Sequence, residues 1–391
     1  MPPAQLAPVS PRASLLPSVI LLLAGVLAGP PSAGAAEPVV RVEIIPDTPA
    51  ARVTVLGPCR VIDLADRHVV NTVAGLRWQE IRPRAEGIQV GRSVVRSRRV
   101  QIAPAGDLLL MVNGVRCRGA LNIVRLDDDR LQLISEMPLE EYLKGVVPTE
   151  IDHRWPIETL KAQAIVARTF TRRQAADRAG HDFDVTKVWP QLYGGLPAER
   201  SRAAQAVEAT RGMVLIFEGH LLPAYYHTVC GGHTEDAGRV WPAIQQAPLR
   251  GVPCHYCQRA PHGHWRFEMS EEEVGQRLQR LGLGGRPVMG LTVVARDASG
   301  RVTTVAVEST QGTSRVSSVQ LRAVLGPNRL RSTNFVIAHP DSRWVFQGSG
   351  WGHGVGLCQW GAARLGQQRQ TAAQILAYYY PGAELVEWPR P

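Results

Sequence analysis

The chain has 391 residues, which at roughly 150 residues per domain predicts two or three domains and allows a core without disulfides. Hydrophobic residues make up 45% and charged residues 20%, which excludes wholesale disorder. The net charge of +10 suggests an anionic partner, but all except three of the basic residues are arginines scattered along the chain. A nucleic-acid partner is therefore not expected.

Residues 1–36 are predicted to be a cleavable secretory signal peptide. Arg12 precedes an apolar run that begins at Leu15 and ends at Leu27, and small residues at 33–36 provide an A-x-A cleavage site. The run is shorter than the ~20 residues that span a bilayer. We expect an exported protein, in the periplasm or at the extracellular face of the cell wall, with no stable membrane span after processing.

Short apolar runs separated by turn residues fill residues 37–136, and the Asn113-Gly114 step marks a hairpin. This pattern predicts a β-rich N-terminal region. It contains no catalytic constellation, so a scaffold or binding role is expected for it.

A mixed α/β region follows over residues 137–385, and the predicted fold class is therefore α+β. Proline starts two helices, the first after Pro138 and the second over residues 157–176, and Pro148 is expected to end the first. On the second helix, Lys161 and Arg168 project from one face because seven residues make almost two turns. A solvated basic stripe explains that spacing equally well.

Glu150 is predicted to lie in the turn between these helices, next to Ile151 and close to Trp155. An apolar turn would make a carboxyl group retain its proton, as a general acid must. An exposed turn glutamate is the alternative on position alone.

A metal site is predicted from His227-x2-Cys230 and, 23 residues later, Cys254-x2-Cys257. Two short ligand pairs of this kind can close a tetrahedral zinc site. With all four positions filled by the protein, the zinc ion would be structural and not catalytic. A disulfide or a redox Cys-x-x-Cys pair is the alternative in an oxidising compartment.

Glycine occupies every second position from 350 to 356, in a segment that also contains Trp351, His353, Gln359 and Trp360. The spacing does not match a dinucleotide-binding loop. Aromatic rings and amides of this kind are typical of carbohydrate clefts, and a tight-turn core segment is the equal alternative.

Together these stretches resemble the stage II sporulation protein D family, which includes the amidase-enhancer proteins. The resemblance extends from about Met137 to Gly382. Its blocks are PLEEYLKGVVPTE at 138–150, WP at 155–156, LKAQAIVARTF at 160–170, QLYGG at 191–195, HTVCGGHTE at 227–235, GWGHGVGLCQWG at 350–361 and YYPG at 379–382.

The resemblance implies that residues 137–385 form a catalytic domain, that of a lytic transglycosylase. Such enzymes cleave MurNAc–GlcNAc bonds of peptidoglycan glycan strands without water, and sporulation members favour strands stripped of stem peptides. It places the catalytic acid and base at Glu150. The positions expected to bind substrate are Lys161, Arg168, Gln191, Tyr193, His353, Gln359 and Trp360.

The resemblance leaves the metal site and the partners as expectations. The family commonly has serine where Cys230 and Cys358 stand here, which supports a local zinc site or disulfide. The zinc is not required for the chemistry. A cell-wall amidase is a candidate partner, and a non-catalytic glycan-binding stimulator of such an amidase is the rival function. A zinc hydrolase is a third alternative.

Overall fold

The computed structural model describes residues 37–388, except residues 107, 189–190, 262, 284–286 and 311. The predicted signal peptide, residues 1–36, lies outside the described residues. Secondary structure amounts to about 25% helix and 38% strand. This composition, with its β-rich N-terminal part, confirms the predicted α+β class.

Two antiparallel sheets build the N-terminal part, because β-branched residues alternate with polar ones along short strands. Val53 of one sheet and Val61, Val100 and Ile102 of the other are buried in one shared core. The strands are β1 (Val39–Thr48), β2 (Ala51–Val55), β3 (Cys59–Asp63), β4 (Val69–Val73), β5 (Leu76–Arg84), β6 (Gly87–Val90), β7 (Ser93–Val95), β8 (Arg99–Pro104), β9 (Leu110–Val112), β10 (Val115–Cys117), β11 (Ala120–Arg125) and β12 (Leu131–Pro138).

Helices follow β12 without a linker. They are α1 (Leu139–Glu150) and α2 (Ile157–Asp177), and after strand β13 (Val185–Thr186) comes α3 (Ser201–Ala209). Strand β13 pairs with β1 in parallel and completes the sheet order β13-β1-β12-β11-β8-β3-β4. The other N-terminal sheet has the order β10-β9-β2-β5-β6-β7. The predicted boundary at residue 137 therefore falls inside β12, and a core shared by Val40, Val42 and the helices crosses it.

The prediction that Pro148 ends the first helix is wrong, since α1 continues to Glu150 and Ile151 then adopts an extended conformation. Pro148 lacks a backbone donor and its ring crowds the preceding turn, which weakens the helix near its end without stopping it at that residue. The Thr149 hydroxyl donates to the Val146 carbonyl at 2.6 Å, and this bond supports the last turn. Glu150 is consequently held on a helix and not in a loose turn.

The rest of the chain builds two further cores. Its elements are β14 (Met213–Phe217), β15 (His220–Leu221), β16 (Tyr226–His227), α4 (Ala237–Val240), β17 (His264–Ser270), α5 (Glu271–Leu278), β18 (Val288–Arg296), β19 (Val302–Ser309), β20 (Gly312–Ser317), α6 (Ser318–Leu325), β21 (Phe335–Ala338), β22 (Arg343–Ser349), β23 (Leu357–Cys358), α7 (Gln359–Gln367), α8 (Ala372–Tyr379) and β24 (Glu384–Glu387). Short 3₁₀ helices lie at Leu196–Ala198, Ala247–Leu249 and Gln279–Leu281.

The pairing of β16 with β23 matters most for the site. These two short strands run parallel, with Tyr226 opposite Leu357 and His227 opposite Cys358. Helix α7 starts at the next residue, Gln359. The pairing therefore brings together two segments that are far apart in the sequence, since Leu357 lies 357 − 226 = 131 positions after Tyr226. Within the described part of the chain, no helix has the length and apolar character needed to cross a bilayer.

Candidate active site

Glu150 ends α1 and meets groups from three distant segments. Its Oε1 atom accepts a hydrogen bond from the backbone N–H of Leu192 at 2.8 Å. The Tyr226 hydroxyl and the Gln359 side chain also interact with the carboxylate. The structure thus joins Glu150 with Gln359, two of the residues that the sequence predicts.

Burial raises the pKa of Glu150 above its usual value, and the Leu192 N–H together with the neighbouring Tyr226 and Gln359 side chains partly opposes the rise. The residue nevertheless keeps some surface exposed. Burial, and next the charge of Glu150, raise the pKa of the Tyr226 hydroxyl. A carboxyl group that holds its proton and can still be reached from solvent is suited to general acid catalysis.

Among the described residues, no second carboxylate influences the pKa of Glu150. The other acidic candidates bind groups elsewhere: Asp152 binds Arg154, Asp184 binds Arg41, Glu235 accepts from Ser299, and Asp236 caps α4 through Gly238. Hydrogen bonding to Arg154 lowers the pKa of Asp152 to about 2. Among the described residues around Glu150, the arrangement therefore offers one carboxyl group with a raised pKa and not a matched pair.

The segment 191–195 packs against the end of α1. Gly194 donates its N–H to the Gly145 carbonyl at 3.1 Å, and the Tyr193 ring lies directly over Gly145. Any side chain at residue 145 would collide with that ring, so glycine is required there. This packing holds the Leu192 N–H against Glu150.

Gln191 and Tyr193 are buried and build this segment from within. The Gln191 amide oxygen accepts from Tyr142 at 3.2 Å and from Thr171 at 2.8 Å. Tyr193 stacks on Tyr142 with 5.2 Å between ring centroids, and its hydroxyl contacts the Met137 sulfur. The structure therefore buries both side chains within the segment that supports the site.

Arg168 is fully buried, contrary to the prediction that it binds substrate. Its guanidinium donates to both carboxylate oxygens of Glu140, at 2.9 and 2.7 Å, and to the carbonyls of Val207 and Met213. Helical spacing placed Arg168 on one face with Lys161, but α1 and α3 cover that part of the face. Lys161 stays partly exposed and pairs with Glu158 at 2.7 Å.

His353 and Trp360 lie on either side of Gln359 in the sequence and have different surroundings. Burial lowers the pKa of His353 well below its usual value, and its Nδ1 accepts from the Val355 N–H. The neutral imidazole packs against the Trp241 ring at 5.0 Å. Trp360 makes an edge contact with Trp155 at 4.9 Å and remains partly exposed.

The structure changes the predicted set of metal ligands. Sγ atoms of Cys230, Cys254, Cys257 and Cys358 lie within 4.8 Å of one another, and all four thiols are free and buried. His227 is absent from this cluster: its Nδ1 donates to the Val355 carbonyl at 3.0 Å. Burial lowers the pKa of His227 to about 3, so the ring is neutral.

Two residues of the site were not predicted in their observed roles. Cys358 joins the cysteine cluster because β23 pairs with β16, and its sulfur accepts from the Cys230 N–H at 3.3 Å. Tyr226 faces Glu150 from β16. The sequence signal for Cys358 is that cysteine stands at 230 and 358 where the family commonly has serine. No comparable signal marks Tyr226.

Comparison with known proteins assigns the family. A family model described as Stage II sporulation protein matches residues 127–217, which include Glu150 and the segment 191–195. An uncharacterized protein of Brachyspira hyodysenteriae is 31% identical over 282 residues, or 71% of this chain and 74% of that protein. Stage II sporulation protein D of Bacillus amyloliquefaciens is 29% identical over 270 residues, or 65% of this chain and 76% of that protein. The chain belongs to the stage II sporulation protein D family.

The chain is also similar to an amidase-enhancer protein, as the motifs indicated. The Amidase enhancer of Bacillus subtilis is 25% identical over 300 residues, which cover 63% of this chain and 40% of that protein. A second model, Domain of unknown function (DUF8618), matches residues 258–356. The family model therefore covers the helix that carries Glu150, while the second model covers the strands after Cys257 and the glycine-rich positions 350–356.

Proposed function

We propose that this protein is an exported lytic transglycosylase that cleaves MurNAc–GlcNAc bonds of peptidoglycan and forms 1,6-anhydro-MurNAc ends. Family membership and the relative named Amidase enhancer support a role at the cell wall. The observation that carries the proposal is the single carboxyl group of Glu150, whose pKa burial raises.

The chemistry needs one residue that acts twice. Oε1 of Glu150 accepts from the Leu192 N–H, so the proton of the acid form belongs on Oε2. That proton passes to the glycosidic oxygen as its bond to C1 breaks. The resulting carboxylate then takes the proton of the C6 hydroxyl as O6 bonds to C1, and Glu150 is an acid again. No water is consumed.

A hydrolase would instead use a second carboxylate at a defined separation. Asp152 is the nearest candidate in sequence, and its bond to Arg154 keeps it ionised in a turn. We therefore expect Asp152→Asn to retain most of the activity.

The test is the mass of the product formed from peptide-stripped glycan strands. A 1,6-anhydro end is lighter by one water than the product of hydrolysis. Glu150→Gln should keep the fold and glycan binding and lose roughly 10²-fold or more in rate. Glu158→Gln is the matched control, because Glu158 is a partly exposed glutamate bound to Lys161. Near-normal turnover by Glu150→Gln would end the assignment.

The rival function is non-catalytic stimulation of a cell-wall amidase, which the name of one relative favours. It predicts no glycan product from the wild-type protein. It also predicts that Glu150→Gln stimulates a partner amidase as well as the wild type does, because the stimulating surface would not depend on a proton donor.

For the cysteine cluster we propose a structural zinc ion held by Cys230, Cys254, Cys257 and Cys358. A tetrahedral zinc with Zn–S bonds of about 2.3 Å places its sulfurs about 3.8 Å apart. Sulfur atoms within 4.8 Å of one another fit that geometry. Four protein ligands leave no open position, so the ion would stabilise the fold and take no part in cleavage.

A further inference from the structure

A cavity of about 600 Å³ lies between the loop 255–260 and helix α7. The loop contributes Tyr256, Gln258 and Arg259, and the helix contributes Trp360, Arg364 and Gln367. Its volume is in the range of natural ligand sites.

The chemistry of the walls selects for an anion. None of the described residues that line the cavity is acidic. Arg259 and Arg364 are exposed, and neither forms an ion pair with a described residue; Arg364 donates only to the Gln367 side chain at 3.2 Å. Two unpaired guanidinium groups favour a carboxylate, which they can bind through two parallel hydrogen bonds.

Aromatic and amide groups extend this surface in a way that suits a sugar chain. Trp360 and Tyr256 present rings that are partly exposed. Such rings can stack on the apolar faces of sugar rings. Gln258 and Gln367 offer both donors and acceptors to the hydroxyl or acetamido groups of a sugar. The cavity is therefore matched to a saccharide that carries a carboxylate.

The position of the cavity connects it to Glu150. Trp360 follows Gln359, whose side chain interacts with the Glu150 carboxylate. The Trp360 ring also contacts Trp155, five residues beyond Glu150. A glycan strand with one sugar at Glu150 can thus extend along Trp360 into the cavity.

The cysteine cluster holds both walls in place. Cys254 and Cys257 anchor the loop that bears Tyr256 and Arg259, and Cys358 immediately precedes α7, which bears Trp360 and Arg364. The buried cluster therefore ties together the loop and the helix that bear the two arginines.

We propose that this cavity is a binding site for a carboxylate-bearing glycan strand, with Arg259 and Arg364 as its anion-binding residues. The inference rests on the proposed function and names the part of the substrate that the site selects. Two sources can supply the carboxylate, the lactyl group of peptide-stripped MurNAc and the stem peptides of intact strands. The buried Arg168 cannot serve either of them.

Binding can be tested separately from cleavage. We would measure dissociation constants by calorimetry in a Glu150→Gln background, with and without Arg259→Gln/Arg364→Gln. The double variant Arg60→Gln/Arg315→Gln is the control, because it removes equal charge from exposed arginines on strands β3 and β20. The probes are peptide-stripped strands, intact strands and N-acetylglucosamine oligomers, which have no carboxylate.

Loss of both arginines should weaken binding of the carboxylate-bearing strands about tenfold or more, with the control unchanged. The strand type that loses most identifies the source of the carboxylate. Binding of the neutral oligomers should not change. Equal affinity with and without the two arginines, or an equal loss in the control, would overturn the proposal. Absence of cleavage by the wild type would refute the proposed function and leave this binding result standing.

Discussion

Removal of Arg168 should destabilise the protein by a large amount, because the residue completes a buried ion pair. Its guanidinium is 0% exposed and bonds to both oxygens of the Glu140 carboxylate, which is itself buried. Arg168→Ala leaves that carboxylate without a cation, at a cost of about 3–5 kcal/mol. The free energy of unfolding of a domain is typically only about 5–15 kcal/mol, so this loss would be a substantial fraction of it.

Urea unfolding of three variants measures this effect. Lys161→Ala is the comparison, because its partly exposed pair with Glu158 should contribute at most about 1 kcal/mol. Glu140→Leu/Arg168→Met should recover much of the loss, since it leaves no unpaired charge in the core. Any Arg168→Ala protein that is folded should keep the wild-type preference among glycan substrates.

The opposite result would refute this reasoning. If Arg168→Ala unfolds within about 1 kcal/mol of the wild type and its folded fraction loses the preference for peptide-stripped strands, Arg168 contacts substrate after all. The ion pair with Glu140 would then have to open during binding.

Three further predictions concern the metal and two carboxyl groups. Protein purified without added metal should contain about one zinc per chain by metal analysis. The Cys358→Ser variant should lose this zinc, and the His227→Gln variant should retain it. A disulfide between any two of the clustered cysteines in mass spectrometry would contradict the prediction. Burial raises the pKa of Glu235 from 4.5 to about 7, so its folded form binds the proton more tightly than the unfolded form and stability falls as pH rises through that interval. Glu235→Gln should therefore gain stability over the wild type between pH 4.5 and about 7 in denaturant titrations, and a constant difference would contradict the burial argument. The pKa of Glu150 is also raised, so the wild-type protein again loses stability as pH rises above 4.5. Glu150→Gln should therefore become the more stable protein above pH 4.5 while losing its activity.

Local signals in the sequence were sufficient for most of the helices and hairpins. The second helix was predicted at 157–176 and is observed as Ile157–Asp177, since proline marks its start clearly. The hairpin turn predicted at Asn113-Gly114 is also confirmed: it joins β9 to β10, and both residues have a positive φ as the tight turn requires. Such features depend on neighbours within a few residues.

The surroundings of Arg168 and Cys358 depend on residues far away in the sequence, which local spacing cannot reveal. A helical wheel shows that Arg168 and Lys161 share a face, but not that Glu140 of another helix lies against one end of it. Ligand spacing favoured His227 over Cys358 because 128 residues separate Cys358 from Cys230. The pairing of β16 with β23, together with the isolated bridge between Val229 and Trp351, brings these two cysteines together.

That same pairing has a consequence for how activity is acquired during folding. Glu150 interacts with Gln359, more than 200 positions later in the chain, and β14 is closed by β24 through pairs such as Met213 with Glu387. Contacts of such long sequence separation form slowly, because loop-closure entropy must be overcome first. A chain whose last segments have not yet folded can therefore have α1 but no assembled site around Glu150. Recovery of cleavage after dilution from denaturant should accordingly lag behind recovery of helical circular dichroism.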